Sequence, residues 1–425
     1  MERLIQYVWK YRLYEPDSLV DTEGLPITII DPGIHNTHAG PDFFNAKIRI
    51  GDQLWAGNIE IHSSPADWYK HGHHEDAGYN SVILHIALTY DSGKIVTQEG
   101  RTVPQLTIKI PEKIAENYEY LLFADRDIPC LGRIKEIAPI HLTDWKNALT
   151  IERLENKSNR IESLLNQTKG DWEEVFYITL ARNLGFGING DAFERLAGSL
   201  PLRYIQKHRD SLFQIEALLF GQAGLLEEEN EDDAYYSKLR QESLFLRNKF
   251  SLHPLDEYLF KKLRTRPYNS PHIKIAQFAA MLHEHESLFS KVLEAQHIEQ
   301  YFALFTPSVS AYWQSHFYFH NLSVKSEKKL SPNALFIVLI NTVVPVLFAY
   351  GKKKKRTDLV DYSLQLLERL PPEKNSIVTL FERAGLSVVN AADTQAVIQL
   401  KREYCEKKEC LFCRIGHKLL SKVTL

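Results

Sequence analysis

The chain has little cysteine, little net charge and no long uninterrupted apolar run. Its 425 residues include four cysteines, too few for disulfide bonds to stabilise a fold of this length. The formal net charge of -3 argues against a generally basic nucleic-acid binder. Contact with an acidic polymer would therefore have to involve local patches such as Lys261–Arg266 and Lys352–Arg356, although such runs are more often solvated surface.

The apolar segments are too short or too interrupted to predict a membrane span, which needs about 18 or more apolar residues. The most apolar segment, Ala334–Tyr350, contains Asn341 and Pro345 and predicts a pair of buried helices. Met1–Tyr14 predicts an amphipathic helix, because charged residues break the apolar stretch that a signal peptide needs. We therefore expect a cytoplasmic protein with no membrane partner.

The first third of the chain has the pattern of a small β-sheet. Apolar or alternating segments separated by turn residues predict five strands, at 25–30, 43–51, 54–62, 79–90 and 103–110. Between the third and fourth segments, Ser64 and Pro65 begin one short helix that ends at Gly72. The sheet is therefore expected to have helices beside it.

Helical periodicity dominates after about Ile140. The hydrophobic fraction of 44% and the charged fraction of 25% are typical of a soluble globular protein with one large or two moderate cores. We predict an α+β protein with two domains: residues 1–135 form a small mixed β-sheet with flanking helices, and residues 136–425 are mostly α-helical. The acidic run Glu227–Asp233 and the basic run Gly351–Arg356 are the expected loops of the helical part.

Two acidic residues stand at the ends of one predicted hairpin, Gly40–His62. Asp42 begins the second strand, and Glu60 lies two positions before His62 on the third. Because side chains alternate along a strand, Glu60 and His62 point to one face, beside Asp42 across the hairpin. Carboxylate oxygens suit Mg²⁺ or Mn²⁺, and such a metal activates water for phosphodiester hydrolysis.

This hairpin, within the order helix, three strands, helix and strand, resembles the PD-(D/E)xK nucleases. The resemblance implies a metal-dependent nuclease acting on DNA, with Asp42, Glu60 and the carbonyl of Ile61 as metal ligands. His62 stands where the family has lysine, and a neutral imidazole can act as general base or orient the water. His71 or His73 would assist the leaving group.

Two alternatives to a magnesium nuclease remain open. The missing lysine is also compatible with a non-catalytic nucleic-acid-binding or scaffold protein on a degenerate nuclease fold. A zinc hydrolase with histidine and carboxylate ligands is favoured if His71 and His73 hold the metal. Five of the 17 histidines, with two aspartates, fall within 24 residues: His62, His71, His73, His74, His85, Asp67 and Asp76.

Other polar residues have both a functional and a structural interpretation. His85, in an apolar strand, is expected to be a buried hydrogen-bonding residue or to point at the same site as His62. Asp31, His35 and His38 would line the cleft or belong to a solvated loop. Glu2 is a candidate carboxylate from the first helix, or an exposed acid at a helix start.

Three of the four cysteines have the spacing of a metal site. Cys405, Cys410 and Cys413 fall within nine residues, which lets their thiolates surround one metal. Cys130 would complete a four-cysteine set for an iron–sulfur cluster or Zn²⁺, whereas His417 would complete a Cys₃His zinc site; we favour Cys130. One distant and three clustered C-terminal cysteines resemble the iron–sulfur staple of recombination helicase-nucleases and CRISPR-associated exonucleases, although there the lone cysteine precedes the nuclease motif.

A wider similarity covers nearly the whole chain. The segment 40–86, together with "EALLFGQAG", "RTRPYN", "NTVVPVLFAYG" and the terminal "CLFCRIG", is similar to a family of bacterial proteins known only as a domain of unknown function. This similarity implies no activity.

Overall fold

The chain forms two compact units. The computed structural model describes residues 1–15, 19–91, 93–124, 127–228, 232–262 and 267–421. Within these ranges, the first unit comprises Met1–Trp145, Arg383–Leu386 and Leu400–Leu425, and the second comprises Lys146–Glu382 and Ser387–Gln399. The predicted α+β class, with a small mixed sheet followed by a mostly helical region, is confirmed.

The sheet of the first unit is mixed, and all five predicted strand segments contribute to it. Its strand order is β1-β3-β4-β5-β8, with β2 also paired to β3. The pairs β1/β3 and β3/β4 are antiparallel, whereas β4/β5 and β5/β8 are parallel. The strands are β1 (Ile27–Asp31), β2 (Ile34–His35), β3 (Phe43–Ile50), β4 (Gln53–Ile61), β5 (Val82–Ala87) and β8 (Gln105–Thr107), and a separate hairpin joins β6 (Ile95–Val96) to β7 (Thr102–Val103).

Burial follows the position of each strand in the sheet. In β3 the side chains of Phe43, Ala46, Ile48 and Ile50 are buried and most of those between them are exposed, as expected when one face packs on a core. Every residue of β5 is buried, and all of them except His85 are apolar. β5, which lies between β4 and β8, is therefore covered on both faces of the sheet.

Gly57 of β4 lies so close to β5 that a side chain does not fit. A Cβ at this position would be 2.4 Å from Ile83 Cγ2 and 2.7 Å from the carbonyl oxygen of Ser81. Gly57→Ala is therefore expected to lower the free energy of unfolding by about 1–3 kcal/mol, the usual cost of overpacking. Urea denaturation measures the change.

Gly198, in a helix of the second unit, provides the matched control because a Cβ there meets nothing within 4 Å. Gly198→Ala should stabilise the helix by up to about 1 kcal/mol. Equal effects of the two substitutions would contradict the close approach of β4 and β5.

Helices at both ends of the sequence belong to the first unit. The helix α1 (Glu2–Lys10) is amphipathic as predicted and buries Leu4, Ile5, Val8 and Trp9. The other elements are α2 (Asp67–Lys70), α3 (Glu112–Leu122), a π-helical segment (Leu400–Cys405) and α19 (Arg414–Leu420). Asn117 of α3 donates from Nδ2 to the carbonyl oxygen of Leu419 at 3.1 Å.

The division of the chain differs from the predicted boundary between residues 135 and 136. The first unit extends to Trp145 and also includes residues from 400 onward. The reason is long-range: buried contacts such as that between Asn117 and Leu419 hold the last helix against α3. A helical pattern in the sequence does not reveal which unit its apolar face will join.

The second unit is almost entirely helical, with one short hairpin of β9 (His316–Tyr318) and β10 (Asn321–Leu322). The helices after α3 are α4 (Pro139–Gln167), α5 (Trp172–Leu184), α6 (Gly190–Ser199), α7 (Leu202–Gln206), α8 (Leu212–Gln222), α9 (Ala234–Phe250), α10 (Pro271–Glu284), α11 (Leu288–Glu294), α12 (Ile298–Phe305), α13 (Ala311–Gln314), α14 (Pro332–Val338), α15 (Val344–Lys354), α16 (Thr357–Arg369), α17 (Ser376–Ala384) and α18 (Ala391–Gln399).

The predicted pair of helices around Asn341 and Pro345 is wrong. Residues Pro332–Lys354 form one helix of 23 residues, in which a π-helical segment, Leu339–Val343, joins α14 to α15. Pro345 has no N–H to give to the carbonyl of Asn341, and the side-chain amide of Asn183 donates to that carbonyl at 2.8 Å instead. Among the described residues this is the one helix long and apolar enough to span a membrane, and it is mostly buried, as core helices are.

The basic run Gly351–Arg356 was predicted to be a loop, but most of it is helical. Lys352, Lys353 and Lys354 form the last turn of α15, and Lys355 ends the helix in the left-handed conformation, with φ of 56°. Positive side chains are favourable at the carboxyl end of a helix, which explains the difference. The other two runs, Lys261–Arg266 and Glu227–Asp233, lie partly outside the described residues.

Candidate metal centre

Two carboxylates meet where β3 and β4 lie side by side. Asp42 directly precedes β3, and its backbone N–H donates to Oε2 of Glu60 on β4 at 3.1 Å. Asp42 Oδ2 accepts the N–H of Ile61 at 2.9 Å, and Asp42 Oδ1 accepts Nε2 of Gln6 on α1 at 2.8 Å. The backbone and α1 therefore hold both acids in place, while each carboxylate oxygen keeps a further lone pair.

Two histidines flank the other oxygen of Glu60, and a third lies beside them. Its Oε1 lies 3.5 Å from Nε2 of His62 and 3.3 Å from Nε2 of His73. His71 Nδ1 lies 3.2 Å from His62 Nε2. One ring nitrogen from each of the three imidazoles falls within 4.8 Å of the others, a spacing at which a single ion can bind all three. In the part of the chain that the structure describes, no other group of three such ligands is as close.

A tight turn after α2 brings two of these histidines to the sheet. Asp67 Oδ2 accepts the N–H of Ser64 at 3.1 Å and fixes the start of α2. Gly72, with φ of 75°, reverses the chain between His71 and His73. Asp76 Oδ1 then accepts the N–H of Gly78 at 2.8 Å. Asp67 and Asp76, which were predicted together with the histidines, thus stabilise the backbone of the segment that contains His71 and His73.

Two aromatic side chains, Trp68 and Tyr79, pack against the imidazoles. Trp68 is fully buried and contacts His73 and His85 edge-on, with ring centroids 5.4 and 5.7 Å apart. Its indole N–H donates to the carbonyl of Val96 at 3.0 Å. Tyr79 stacks on His73 with a centroid distance of 3.8 Å. These contacts restrict the rotation of the rings.

His85 lies behind the centre and bonds to His62. His62 Nδ1 and His85 Nε2 are 2.8 Å apart, and both side chains are buried. The second nitrogen of His85, Nδ1, has no hydrogen-bond partner. A histidine that binds a metal usually donates its other N–H to a neighbouring acceptor, and His85 Nε2 can accept from His62. The prediction that His85 is a buried hydrogen-bonding residue agrees with this position.

Burial changes the charge of the groups in this centre. Burial raises the pKa of Asp42 and of Glu60; the neighbouring Glu60 raises that of Asp42 further, and Glu2 raises both. Burial lowers the pKa of His62 and of His85 to about 3, and adjacent histidines add to the effect. The imidazoles of His62 and His85 are therefore neutral at neutral pH, and a bound cation would favour the ionised carboxylates.

The sequence profile of one family matches the chain over residues 2–376. The chain belongs to the DUF2851 family. Members of this family are described as proteins of unknown function. No curated protein and no solved structure matches the chain. The part that matches the DUF2851 profile contains the carboxylates, the histidines and Cys130, and it ends before the other three cysteines.

Several residues predicted from the sequence of this DUF2851 member have other partners. Asp31 Oδ1 accepts the N–H of Gly33 at 2.9 Å, and His38 donates its backbone N–H to Asn36 Oδ1 at 2.9 Å, so both serve local turns. His35 contacts the rings of Phe43 and Phe412. His74 Nε2 lies 3.4 Å from Glu75 Oε1 and its ring contacts Tyr69. Glu2 is half-buried. Burial raises its pKa, whereas His71 and His73 lower it, so Glu2 lies close enough to interact electrostatically with these histidines.

Gln6, Trp68 and Tyr79 contribute to the centre but were not predicted. Gln6 lies on the half-exposed side of α1, and its amide is an ordinary helix-surface group until α1 packs beside Asp42. The aromatic pair lies between the predicted histidines in the sequence, and this interleaving is a signal that could have found both residues.

All four cysteines of this DUF2851 member lie in the first unit with the sheet. Each is buried and none is in a disulfide bond. His417, the alternative fourth ligand, has its Nδ1 2.8 Å from the hydroxyl oxygen of Tyr7.

Proposed function

We propose that this chain is a metal-dependent nuclease that hydrolyses phosphodiester bonds of DNA, with Asp42 and Glu60 as ligands of Mg²⁺ or Mn²⁺. The observation that carries the proposal is the contact between these two acids, made by the N–H of Asp42 and Oε2 of Glu60 at 3.1 Å. Asp42 is half-buried and Glu60 is buried, and the pKa of each is raised. Keeping both carboxylates ionised side by side costs free energy unless a cation is bound between them.

The order of elements in the first unit supports the nuclease proposal. A helix, α1, precedes three antiparallel strands, β1, β3 and β4; the short helix α2 follows, and β5 then pairs parallel to β4. Asp42 begins the second of these strands and Glu60 lies on the third. This is the order and placement that the resemblance to PD-(D/E)xK nucleases implies, with β2 and β8 as additions.

The residues around the acids suit hydrolysis. A bound Mg²⁺ or Mn²⁺ supplies an activated water and charge relief at the phosphate. Glu60 and Asp42 would hold it, and the carbonyl of Ile61 is the proposed backbone ligand. His62 is fully enclosed and hydrogen-bonded on both nitrogens, so it orients its neighbours. His71 is exposed and is the imidazole best placed to give a proton to a leaving oxygen.

A second candidate function is a zinc hydrolase, and a specific observation favours it. The nitrogens of His62, His71 and His73 lie within 4.8 Å of one another, and neutral imidazoles are preferred zinc ligands. Glu60, whose Oε1 is 3.3 Å from His73 Nε2, would then be a fourth ligand or the base for a zinc-bound water.

One assay with two variants separates the two functions. Metal-free protein is supplied with Mg²⁺, Mn²⁺ or Zn²⁺ and incubated with single- and double-stranded DNA. We expect Mg²⁺ or Mn²⁺ to support cleavage, and Asp42→Asn to reduce it by at least about a hundred-fold, the upper end for residues that only orient a ligand. His71→Gln should leave metal binding intact and reduce cleavage by about a hundred-fold, because it removes only the proposed proton donor.

The opposite result, activity with Zn²⁺ alone and its loss in His71→Gln, would replace the nuclease proposal by the zinc hydrolase. His74→Gln is the matched control, since His74 is adjacent in sequence but pairs with Glu75 outside the centre. Inactivity with every metal, together with unchanged DNA binding by Asp42→Asn, would favour the scaffold alternative and overturn both.

A further inference from the structure

The four cysteines form a second cluster, separate from the carboxylates and histidines. Cys130 lies in a turn after α3, and its own carbonyl oxygen accepts the N–H of Ile134 at 3.1 Å. Cys405 ends the π-helical segment, and Cys410 and Cys413 lie in the turns before α19. The exposed fraction of each is 7–8%, so the cluster is shielded from solvent.

The thiols are close enough to affect one another. Burial raises the pKa of Cys130, and Cys413 and Cys410 raise it further. Burial likewise raises the pKa of Cys405, and the other three cysteines raise it further. A single buried cysteine is an ordinary small apolar residue. The convergence of every cysteine in a 425-residue chain on one place is not explained by packing alone.

Hydrogen-bond donors surround the sulfur of Cys413. Burial raises its pKa, but the backbone N–H groups of Gly416 and Ile415 and the indole of Trp145 act in the opposite direction. A Cβ at Gly416 would lie 2.0 Å from the carbonyl oxygen of Cys410, so only glycine lets the chain close around the cluster. Donors directed at sulfur are typical of metal–thiolate sites.

Cys130 fits the fourth position better than His417 does. Lys401, in the π-helical segment that ends at Cys405, has its Nζ 3.6 Å from Oδ1 of Asp127, three residues before Cys130. The imidazole of His417 already contacts two tyrosine side chains. Its Nδ1 lies 2.8 Å from the hydroxyl of Tyr7, and its ring contacts Tyr11 at a centroid distance of 4.4 Å.

The spacing of the sulfur atoms distinguishes between a single metal ion and a cluster. Four sulfurs bound tetrahedrally to one zinc, with bonds near 2.3 Å, lie about 4 Å apart. Among the described residues, no three cysteine sulfurs fall within 4.8 Å of one another. We infer that Cys130, Cys405, Cys410 and Cys413 bind an iron–sulfur cluster, whose several irons hold the cysteine sulfurs farther apart.

The cluster joins two parts of the first unit that are distant in sequence. Cys130 belongs to the segment after α3, and the other three precede α19, which packs on α3. Lys408, in the turn between Cys405 and Cys410, donates from Nζ to the carbonyl of Leu122 at 2.7 Å. The proposed iron–sulfur cluster would therefore hold these two segments together. Its binding does not depend on hydrolysis at Glu60.

Composition of the full-length protein tests the inference. Protein purified without oxygen is assayed for iron, inorganic sulfide and zinc, and its visible absorption is recorded. We expect iron and sulfide in equal amounts, little zinc, and a broad visible band that dithionite bleaches. One zinc per chain without iron, or four titratable thiols without any metal, would overturn the cluster.

Two variants test the identity of the fourth ligand. Cys130→Ser should lose most of the iron and of the visible band, whereas His417→Gln should keep both. Loss in His417→Gln with retention in Cys130→Ser would overturn the assignment of Cys130. If Cys130→Ser is insoluble, cysteine-reactive labelling of the wild type decides instead: all four thiols should be protected until the iron is chelated, and reactivity of Cys130 before chelation would contradict the assignment.

Discussion

Glu60→Gln is expected to reduce hydrolysis by at least about a thousand-fold, equivalent to about 4 kcal/mol of lost transition-state stabilisation. Glu60 is the residue that both proposed centres share: Oε2 accepts the N–H of Asp42, and Oε1 faces His62 and His73. Glutamine keeps the shape and one accepting oxygen but removes the negative charge that a cation needs. Initial rates with saturating metal measure the loss.

Metal-free Glu60→Gln should be at least as stable as the metal-free wild type. The pKa of Glu60 is raised by burial, which means that its ionised form is disfavoured in the folded state. A loss of activity with unchanged or increased unfolding temperature therefore separates a catalytic from a structural role. Glu75→Gln is the control on the exposed side of the same loop. Full activity in Glu60→Gln would contradict both proposed metal sites.

Trp68→Ala is expected to lower the free energy of unfolding of the first unit by about 3–5 kcal/mol, the range for a fully buried aromatic residue. Trp68 forms a small core with Tyr79, Val82, Ile95 and Val103. The substitution removes this packing and leaves the carbonyl of Val96 without the indole N–H. Chemical denaturation followed by circular dichroism measures the change.

Trp68→Phe separates the two contributions. Phenylalanine keeps most of the apolar contact but not the N–H, so its cost should be smaller, about 1–3 kcal/mol. Metal affinity should fall in the same order, because Trp68 contacts the rings of His73 and His85. A loss below about 1 kcal/mol in Trp68→Ala would show that the indole does not support the centre.

The hairpin residues were predictable because strand geometry is local. Alternation along β4 places Glu60 and His62 on one face, and pairing with β3 brings Asp42 beside them. The histidines of the following turn were identified by their number in a short segment. The strand segments were likewise found from alternation and turn residues, although their observed bounds are shorter.

Features that depend on distant contacts were not predictable. Gln6 reaches Asp42 from α1, and the continuous helix through Pro345 depends on the side chain of Asn183. The return of α19 to α3 similarly follows from packing between segments some 300 residues apart, such as Asn117 and Leu419. None of these partners leaves a periodic signal in the sequence.

The return of the last segment also orders events during synthesis. The strands and Cys130 leave the ribosome long before the π-helical segment and α19, so the first unit is incomplete while the whole second unit is being made. Its sheet can form early, but three of the four proposed cluster ligands follow the whole second unit in the sequence. Insertion of the proposed cofactor would therefore have to follow synthesis of the second unit. A nascent chain halted after residue 399 would contain the complete carboxylate and histidine centre without the cysteine triplet.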